Sequence, residues 1–419
     1  MKIAYITAGA AGTICGNCLQ DNAVAAALKR NGHDVILLPA YTPLRTDEHD
    51  ESDRQVVFGG INLYLQGHYA LFRASGILDR LVDHPRVLRW VSRFAVDTRP
   101  AKLGKMTRDM FLGESGPYRR EMRKLIEMLR KIRPEVVHLT NSMLASMSGP
   151  IRRELGVPVI CSIQGEADFL AGLPEPFRES CYDLLRGHAA HIDTFVAPCA
   201  DQLAAMAPVL GEESNRMETI LPGISLDGVL EQRRPTEDRF VIGFLARLTA
   251  EKGLHLLADA VERLRNGHPD RTIELRVAGW RNSETAGYVQ HLAREYGFED
   301  HGYLSRSGKF EFLAGLDAFS VPTTYRASKG LYVLEALGAG VPVIQPRIGV
   351  FPELIQASGG GLTCEPDDSE DLAAKLEVLM LDRNRAARLG ARGQQRVRER
   401  FHSDRMAAEA LALYARFLS

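Results

Sequence analysis

Residues 322–344 read PTTYRASKGLYVLEALGAGVPVI, and this stretch decides the architecture of the second half of the chain. The apolar residues just before it, 319–321, predict a short buried strand, which Pro322 ends. A polar loop follows, then leucines at helical spacing, then glycines that end the helix before the apolar run 341–344. Buried strands that alternate with a helix are typical of a parallel sheet. The stretch therefore predicts an α/β fold.

The loop before this helix has the features of an anion-binding site. Gly330 lets the backbone come close to a ligand, and Ser328 is expected to cap the helix. The first N–H groups of a helix carry the positive end of its dipole, which favours phosphate. Glu335 lies further inside the helix, where a carboxylate can accept the two vicinal hydroxyls of a ribose. The sequence therefore predicts a pocket for a phosphorylated nucleoside.

A second motif carries positive charge. Residues 240–253 read FVIGFLARLTAEKG and predict a strand, a loop and the start of a helix. Arg247 and Lys252 stand in the loop, where two cations can neutralise a diphosphate whose charge grows as a group departs from it. The alternative is an ordinary surface loop held by salt bridges.

Together the two motifs resemble the donor-site signature of the retaining glycosyltransferases of family 4 (glycosyl transferases group 1). The resemblance implies the GT-B fold: α/β, with two facing Rossmann-like, doubly wound domains and an inter-domain cleft. It implies that a nucleotide-diphosphate sugar binds to the C-terminal domain and that Arg247 and Lys252 are catalytic. The donor-binding residues implied in that domain are Ser328, Lys329, Gly330, Leu331 and Glu335.

The same resemblance implies the course of the reaction. The sugar is expected to keep its anomeric configuration, and the leaving phosphate itself can take the acceptor proton. No metal and no cofactor are expected. The acceptor enters from the N-terminal domain, and whether it is a saccharide, a lipid-linked molecule or a small molecule stays open.

One position departs from the family pattern, which has two glutamates separated by seven residues. Glu335 matches the second glutamate, and the first falls on Ala327. The enzyme can use an unusual sugar held by Arg326, Ser328 or Lys329, or it can be a slow variant. The alternative function is a catalytically weakened or non-catalytic nucleotide-sugar-binding protein. Another two-domain α/β enzyme, such as an epimerase or a phosphorylase, is a further alternative.

The N-terminal half also begins with a strand, a glycine-containing turn and a helix. Its glycines stand at 9, 12 and 16, a spacing that does not match the GxGxxG of dinucleotide-binding domains, so an NAD enzyme is disfavoured. In the family this loop approaches the donor phosphates, and the resemblance assigns that role to Gly12 and Thr13. Cys15 and Cys18 form a CxxC, for which a plain loop is favoured over redox or metal chemistry because no second pair completes a zinc site.

Polar side chains follow two predicted strands of the N-terminal half, where open α/β sheets bind ligands. His138 is a candidate catalytic residue that orients substrate, with a buried structural histidine as the alternative, and Asn141 follows the same strand. After the next strand, Gln164 takes the position where the family usually has a histidine, near the transferred sugar. Glu166 and Asp168 are the ionisable candidates nearby, and helix capping is their alternative role.

Length and composition fit two soluble domains. The chain has 419 residues and a net charge of −1, which gives no sign of nucleic-acid binding. The expected domains are 1–232 for the acceptor and 233–402 for the donor, with 403–419 packing back on the first; the linker is placed within the charged segment 230–239. Scattered cysteines, no signal peptide in the first eight residues and no long apolar run predict a cytoplasmic protein.

The segment 78–110 is basic and interleaved with apolar residues. Such a helix can lie on an anionic membrane, so contact with the inner face of the membrane is one expectation. A helix with a solvated charged face is the other.

Overall fold

The computed structural model describes residues 1–9, 16–44, 46–53, 100–230 and 238–418. These residues form two compact units, Met1–Leu221 with Met406–Ser419, and Pro222–Arg405. Most of the predicted linker, Gly12, Thr13, Cys15 and most of the basic segment (78–99) lie outside the described residues. Among the helices that are described, none is long and apolar enough to cross a membrane.

The first unit is built on a six-stranded parallel sheet with the strand order β2-β1-β3-β4-β5-β6. The chain moves from β1 to β2 in one direction and from β3 to β6 in the other, so the order reverses between β1 and β3. Ligands of open α/β sheets bind at the carboxyl ends of the strands at such a point. The strands are β1 Lys2–Thr7, β2 Asp34–Pro39, β3 Val136–Leu139, β4 Val159–Ser162, β5 Thr194–Ala197 and β6 Met217–Thr219.

Helices cover both faces of this sheet, because successive residues of each buried strand point to opposite sides. Ile3 and Tyr5 of β1 belong to one apolar cluster, and Ala4 and Ile6 belong to the other. The α-helices of the first unit are α1 Gly16–Arg30, α2 Pro100–Phe111, α3 Arg119–Ile132, α4 Ser148–Leu155, α5 Glu166–Ala171, α6 Phe177–Ala189 and α7 Ala200–Leu210, with 3₁₀ turns at Gly113–Ser115, Ser142–Met147 and Gly211–Arg216.

The last helix of the chain, α15 (Ser403–Ala415), packs on the sheet of the first unit. Ala407, Ala410 and Tyr414 are buried in the cluster that contains Tyr5, and the same cluster takes in the apolar face of α1. Arg416 adds an ion pair with Glu218 at 2.6 Å. The end of the chain therefore belongs physically to the same unit as its beginning.

The second unit has a six-stranded parallel sheet in the order β12-β11-β10-β7-β8-β9, which reverses between β7 and β10. Its strands are β7 Arg239–Leu245, β8 Thr272–Ala278, β9 Glu299–Asp300, β10 Ala318–Ser320, β11 Val343–Pro346 and β12 Gly361–Cys364. Its helices are α8 Leu254–Gly267, α9 Ser283–Tyr296, α10 Arg306–Ala314, α11 Leu331–Gly338, α12 Phe351–Ser358, α13 Ser369–Leu381 and α14 Arg383–Arg400, with a 3₁₀ turn at Ala250–Lys252. The predicted α/β class, with two Rossmann-like domains, is confirmed.

Caps fix the starts of several of these segments. The Asn141 side chain caps the 3₁₀ turn before α4 by accepting from the Met143 N–H at 2.7 Å. The Ser305 side chain caps α10. The predicted cap of α11 was wrong. Ser328 does not cap α11; its N-cap is Gly330, and no side chain bonds to the cap.

Candidate active site

The two motifs of the second unit are joined at the carboxyl ends of β7 and β10, where the strand order reverses. The Thr324 N–H donates to the Glu251 carbonyl at 3.0 Å. Gly253 has a φ of +75°, and a Cβ built on it would lie 1.9 Å from the Pro322 carbonyl oxygen. Only glycine allows so close an approach of the two loops. The cationic loop and the predicted anion-binding loop therefore form one candidate site.

Lys252 is a buried cation of this site, with a relative exposure of 7%. Its ammonium donates to the Tyr325 hydroxyl at 2.5 Å and lies 4.9 Å and 5.1 Å from the ring centres of Tyr325 and Tyr332. Its pKa is lowered from 10.5 to about 7, mainly by burial and secondly by the Arg247 cation, while Glu251 opposes the shift. An anion bound beside Lys252 would restore the charged form.

Arg247 has the opposite environment. Its side chain is exposed, and within the described parts of the chain no ion pair or hydrogen bond ties the guanidinium to another residue. An arginine keeps its charge at any physiological pH and presents a planar fork that matches phosphate oxygens. The cationic loop thus combines a permanently charged arginine with a lysine whose charge depends on its surroundings.

The start of α11 completes the anion site. Gly330 adopts φ 61° and ψ 40°, and a Cβ built on it would lie 3.0 Å from a Leu354 methyl carbon and 3.1 Å from the Phe351 ring. Because no side chain caps this end, the first backbone N–H groups of the helix keep their capacity to bind an anion. Lys329 is buried before the cap, and Ser328 and Leu331 are partly buried.

Glu335 is held by a lysine that the sequence analysis missed. Lys309 Nζ of α10 lies 2.6 Å from Glu335 Oε1, and the two side chains are only 10% and 13% exposed. Lys309 stands four residues before the buried Leu313, at a position where an amphipathic helix usually has an apolar residue. A lysine at such a position was the sequence feature that could have marked this residue as a candidate.

Ala327 lies in the same loop and is 5% exposed. Its carbonyl accepts the Val350 N–H at 2.9 Å. The position where the family has its first glutamate is therefore occupied by a small side chain within a tightly connected loop.

In the first unit, His138 is fully engaged with protein groups. Its Nδ1 lies 2.5 Å from the Tyr414 hydroxyl and its Nε2 lies 2.7 Å from Ser162 Oγ. Its ring also contacts Tyr5, with ring centres 4.6 Å apart. Burial lowers the pKa of His138 to about 3, so the imidazole is neutral near pH 7. These contacts favour the structural role over the catalytic one.

Gln164 belongs to a buried polar cluster at the carboxyl end of β1. Its amide Nε2 donates to Asp21 Oδ1 at 3.2 Å, and the Thr7 hydroxyl donates to Asp21 Oδ2 at 2.7 Å. Asp21 was missed by the sequence analysis. Its signal is the polar run Gln20-Asp21-Asn22 in a helix that otherwise buries small apolar residues.

The remaining candidates of the first unit have different surroundings. The carboxylate of Glu166 is buried and accepts backbone N–H groups of Ser142 at 2.8 Å and Gln164 at 2.5 Å. Burial raises the pKa of Glu166, and these hydrogen bonds oppose the rise. The Asn141 side chain caps the 3₁₀ turn Ser142–Met147, whereas Asp168 is exposed on the first turn of α5. Asp168 is thus the candidate in this group with a solvent-facing carboxylate.

The described end of the basic segment is the helix α2. Both Lys105 and Arg108 pair with the buried Asp109 carboxylate, at 2.5 Å and 3.3 Å. The Arg108 guanidinium also lies 5.4 Å from the centre of the Phe177 ring. Two cations of the basic segment, for which contact with a membrane was one expectation, therefore form ion pairs within the first unit. Cys18, of the CxxC, is buried.

Two family profiles match the chain on either side of the unit boundary. The Glycosyl transferase 4-like domain matches residues 22–223, and Glycosyl transferases group 1 matches residues 230–396. Among relatives, glycogen synthase from Mycobacterium tuberculosis is 25% identical over 303 residues, which are 68% of this chain and 69% of that protein.

Solved structures agree on the fold. Sucrose-phosphate synthase from Thermosynechococcus elongatus superposes with a TM-score of 0.71 at 15% identity and covers 99% of both chains. Anabaena Alr3699/HepE, in complex with UDP, superposes with a TM-score of 0.68 at 14% identity and covers 99% of this chain and 100% of its own.

Fold and motifs define an enzyme of the GT-B class, built from two Rossmann-like domains. The chain belongs to the group 1 glycosyltransferases, the family 4-like branch of that class. The predicted family and the predicted glycosyltransferase activity are confirmed.

Proposed function

We propose that this chain is a retaining glycosyltransferase that moves a sugar from a nucleotide-diphosphate sugar to an acceptor without a metal. The observation that carries the proposal is the junction of Arg247, Lys252 and the uncapped start of α11 at the strand-order reversal of the second unit. Three sources of positive potential converge where an open α/β sheet binds its ligand. The UDP held by the Anabaena relative is consistent with a nucleoside diphosphate as the leaving group.

In the proposed reaction, the bond between the anomeric carbon and the β-phosphate oxygen breaks and its electrons pass to the phosphate. Arg247 and Lys252 stabilise the negative charge that develops there, together with the N–H groups near Gly330 and Leu331. The acceptor oxygen attacks the same face of the sugar, and its proton passes to the departing phosphate. Since these groups supply the charge, no metal is required in this scheme.

Glu335 is assigned to the ribose, and Ser328 and Lys329 to the donor. The acceptor is assigned to the first unit, where Asp168 offers an exposed carboxylate. His138 is assigned to the scaffold rather than to the reaction, because both of its nitrogens are bonded to protein groups. Contact of the segment 78–110 with a membrane stays a prediction.

A second candidate function is a weakened or non-catalytic nucleotide-sugar-binding protein. The observation that favours it is the buried Ala327, which offers no charged group to the transferred sugar. Loss of a charged hydrogen bond costs about 1.5–3 kcal/mol, which is about one to two decades in rate if it acts in the transition state. Such a loss slows an enzyme without abolishing its activity.

The decisive experiment replaces the exposed cation. Arg247→Ala should weaken binding of nucleoside diphosphates by at least about tenfold and should abolish donor turnover, because a charge-assisted contact is lost. Arg271→Ala, at another exposed arginine of the same unit, is the matched control and should change neither. Activity should persist in EDTA. Unchanged nucleotide binding by Arg247→Ala would reject the diphosphate assignment, whereas sugar-donor binding without turnover by the native protein would favour the second candidate.

A further inference from the structure

The pair of Lys309 and Glu335 is unusual for its burial. The ammonium and the carboxylate are 2.6 Å apart, at exposures of 10% and 13%. They come from different helices, α10 and α11, and are separated by 26 residues in the chain. Lys309 Nζ also lies 5.3 Å from the centre of the Phe310 ring. The buried lysine ammonium thus contacts Oε1 of the Glu335 carboxylate beside an aromatic ring.

The carboxylate of Glu335 has two oxygens, and the contact with Lys309 involves one of them. Oε1 accepts from Lys309, and the hydrogen bonds of Glu335 in the described residues involve no other side chain. A glutamate without such a partner would be free to rotate about its last torsion angles. The bond to Lys309 therefore restrains the position of Oε1 and leaves Oε2 for another donor.

Stability is a weak reason for such a pair. Replacing a buried ion pair by apolar residues of similar volume is often neutral or stabilising, because both charges must be desolvated. A pair maintained next to the anion-binding helix end therefore points to a role in the site.

We propose that Lys309 is a positioning residue that sets the preference of the donor site for ribose over 2′-deoxyribose. By holding Oε1 of Glu335, it presents Oε2 to the vicinal hydroxyls of the sugar attached to the base. This inference rests on the proposed function, in which Glu335 receives the ribose. Lys309 itself does not contact the ligand in this arrangement.

The test first measures by calorimetry which of UDP, GDP and ADP binds most tightly. It then compares the affinity for that nucleoside diphosphate with the affinity for its 2′-deoxy form. Native protein should favour the ribonucleotide by about 10-fold to 100-fold, the range expected for a hydrogen bond to a charged group. Lys309→Met should reduce this ratio to within about threefold, mainly by weakening the ribonucleotide. A residue with only a structural role would weaken both ligands equally and leave the ratio unchanged.

Lys309→Arg keeps the test decisive if Lys309→Met does not fold. Arginine retains the charge, but its fork engages both carboxylate oxygens, so it should fold and still lose the ribose preference. Lys375→Met is the matched control, since Lys375 pairs with Asp371 on the partly exposed face of α13 and should keep the native ratio.

The outcomes separate the two proposals. If the native protein binds no nucleoside diphosphate, the proposed function fails. If it binds them with a ribose preference that both Lys309 variants retain, the inference about Lys309 is overturned and the function stands. Binding without any ribose preference in the native protein also overturns the inference.

Discussion

The ammonium of Lys252 donates a hydrogen bond to the hydroxyl of Tyr325 at 2.5 Å, across 73 residues of sequence. The same nitrogen lies over the rings of Tyr325 and Tyr332. Lys252 thus has aromatic rings and a neutral oxygen around it instead of a carboxylate, which is consistent with a pKa near 7. Its charge is the property of the site that pH controls.

Donor affinity should fall as pH rises above about 7. At a pH below the pKa of about 7, Lys252 is already charged in the free protein. At a higher pH it is neutral, so binding of a diphosphate requires that Lys252 take up a proton. The affinity should then decrease by up to about tenfold per pH unit until the pKa of the complex is reached. Calorimetry with a nucleotide sugar in buffers of different ionisation enthalpy measures the proton uptake. Affinity that does not change between pH 6.5 and 8.5 would contradict the assignment of Lys252.

Tyr325→Phe should move this decline to lower pH. The phenylalanine keeps the ring but removes the oxygen that accepts from the ammonium, so the charged form of Lys252 loses support. Since Tyr325 is partly exposed, a shift of about half a unit to one unit is expected. Tyr303→Phe, at a tyrosine that is more exposed, serves as the comparison. The same pH profile for Tyr325→Phe and native protein would show that the hydroxyl does not tune the lysine.

Lys252→Met should stabilise the free protein while it abolishes donor binding. The folded pKa of Lys252 lies below the unfolded value of 10.5, so the unfolded chain binds more protons between about pH 7 and 10.5 and native stability rises with pH there. The neutral side chain of methionine removes the cost of burying an ionisable group at this position. A gain of about 1–2 kcal/mol in the free energy of unfolding is expected near pH 7, with a flatter dependence above it. Denaturant unfolding at pH 7 and 9.5 measures both; a destabilised variant would mean that the contacts with the tyrosines outweigh the desolvation of the charge.

Tyr414→Phe tests the role of His138. The change leaves one nitrogen of a buried, neutral imidazole without its partner, which should cost about 1–3 kcal/mol of stability. Nucleotide affinity and turnover of folded protein should stay within about twofold of native, because the contact anchors α15 to the sheet. Thermal unfolding and steady-state kinetics are compared on one preparation. A loss of turnover at native stability would restore His138 as a catalytic candidate.

Ala327→Glu tests the departure from the family pattern. The new carboxylate enters a position that is 5% exposed, so the free protein should lose about 1–3 kcal/mol of stability. Transfer or hydrolysis of a common hexose donor should rise by about tenfold if the carboxylate reaches the sugar hydroxyls. Ala327→Gln, of the same size without the charge, is the control. If Ala327→Glu still binds donors but shows no gain with any of them, the missing glutamate does not limit activity.

Local signals in the sequence were enough for most of the fold. β10, α11 and β11 lie where apolar periodicity and the stops at Pro322 and the glycines after α11 placed them. Periodicity reports which face of an element is buried, so it predicts helix or strand well. Turn chemistry is less regular, and the cap of α11 was assigned to Ser328, whereas the structure has Gly330 at that position.

The site could be predicted only in part. The cationic loop and the glycine before α11 could be proposed as site residues because each is a local motif with a chemical purpose, and the structure places the two loops side by side. The loops are adjacent because β7 and β10 are neighbours in the sheet, although β8 and β9 lie between them in sequence. Gly12 and Thr13 lie outside the described residues, so their assignment to the donor stays a prediction.

The sequence by itself determined the α/β class, the cationic motif at 240–253, the predicted anion-binding motif at 322–344, and the family that both motifs indicate. Each of these depends on residues that are close together in the chain. Only the tertiary structure decided how the key side chains are held: Glu335 by Lys309, Lys252 by Tyr325, and His138 by Tyr414. The physical reason is that these partners are 26, 73 and 276 residues apart. Sheet order and helix packing bring them together, and their burial then sets their charge and orientation.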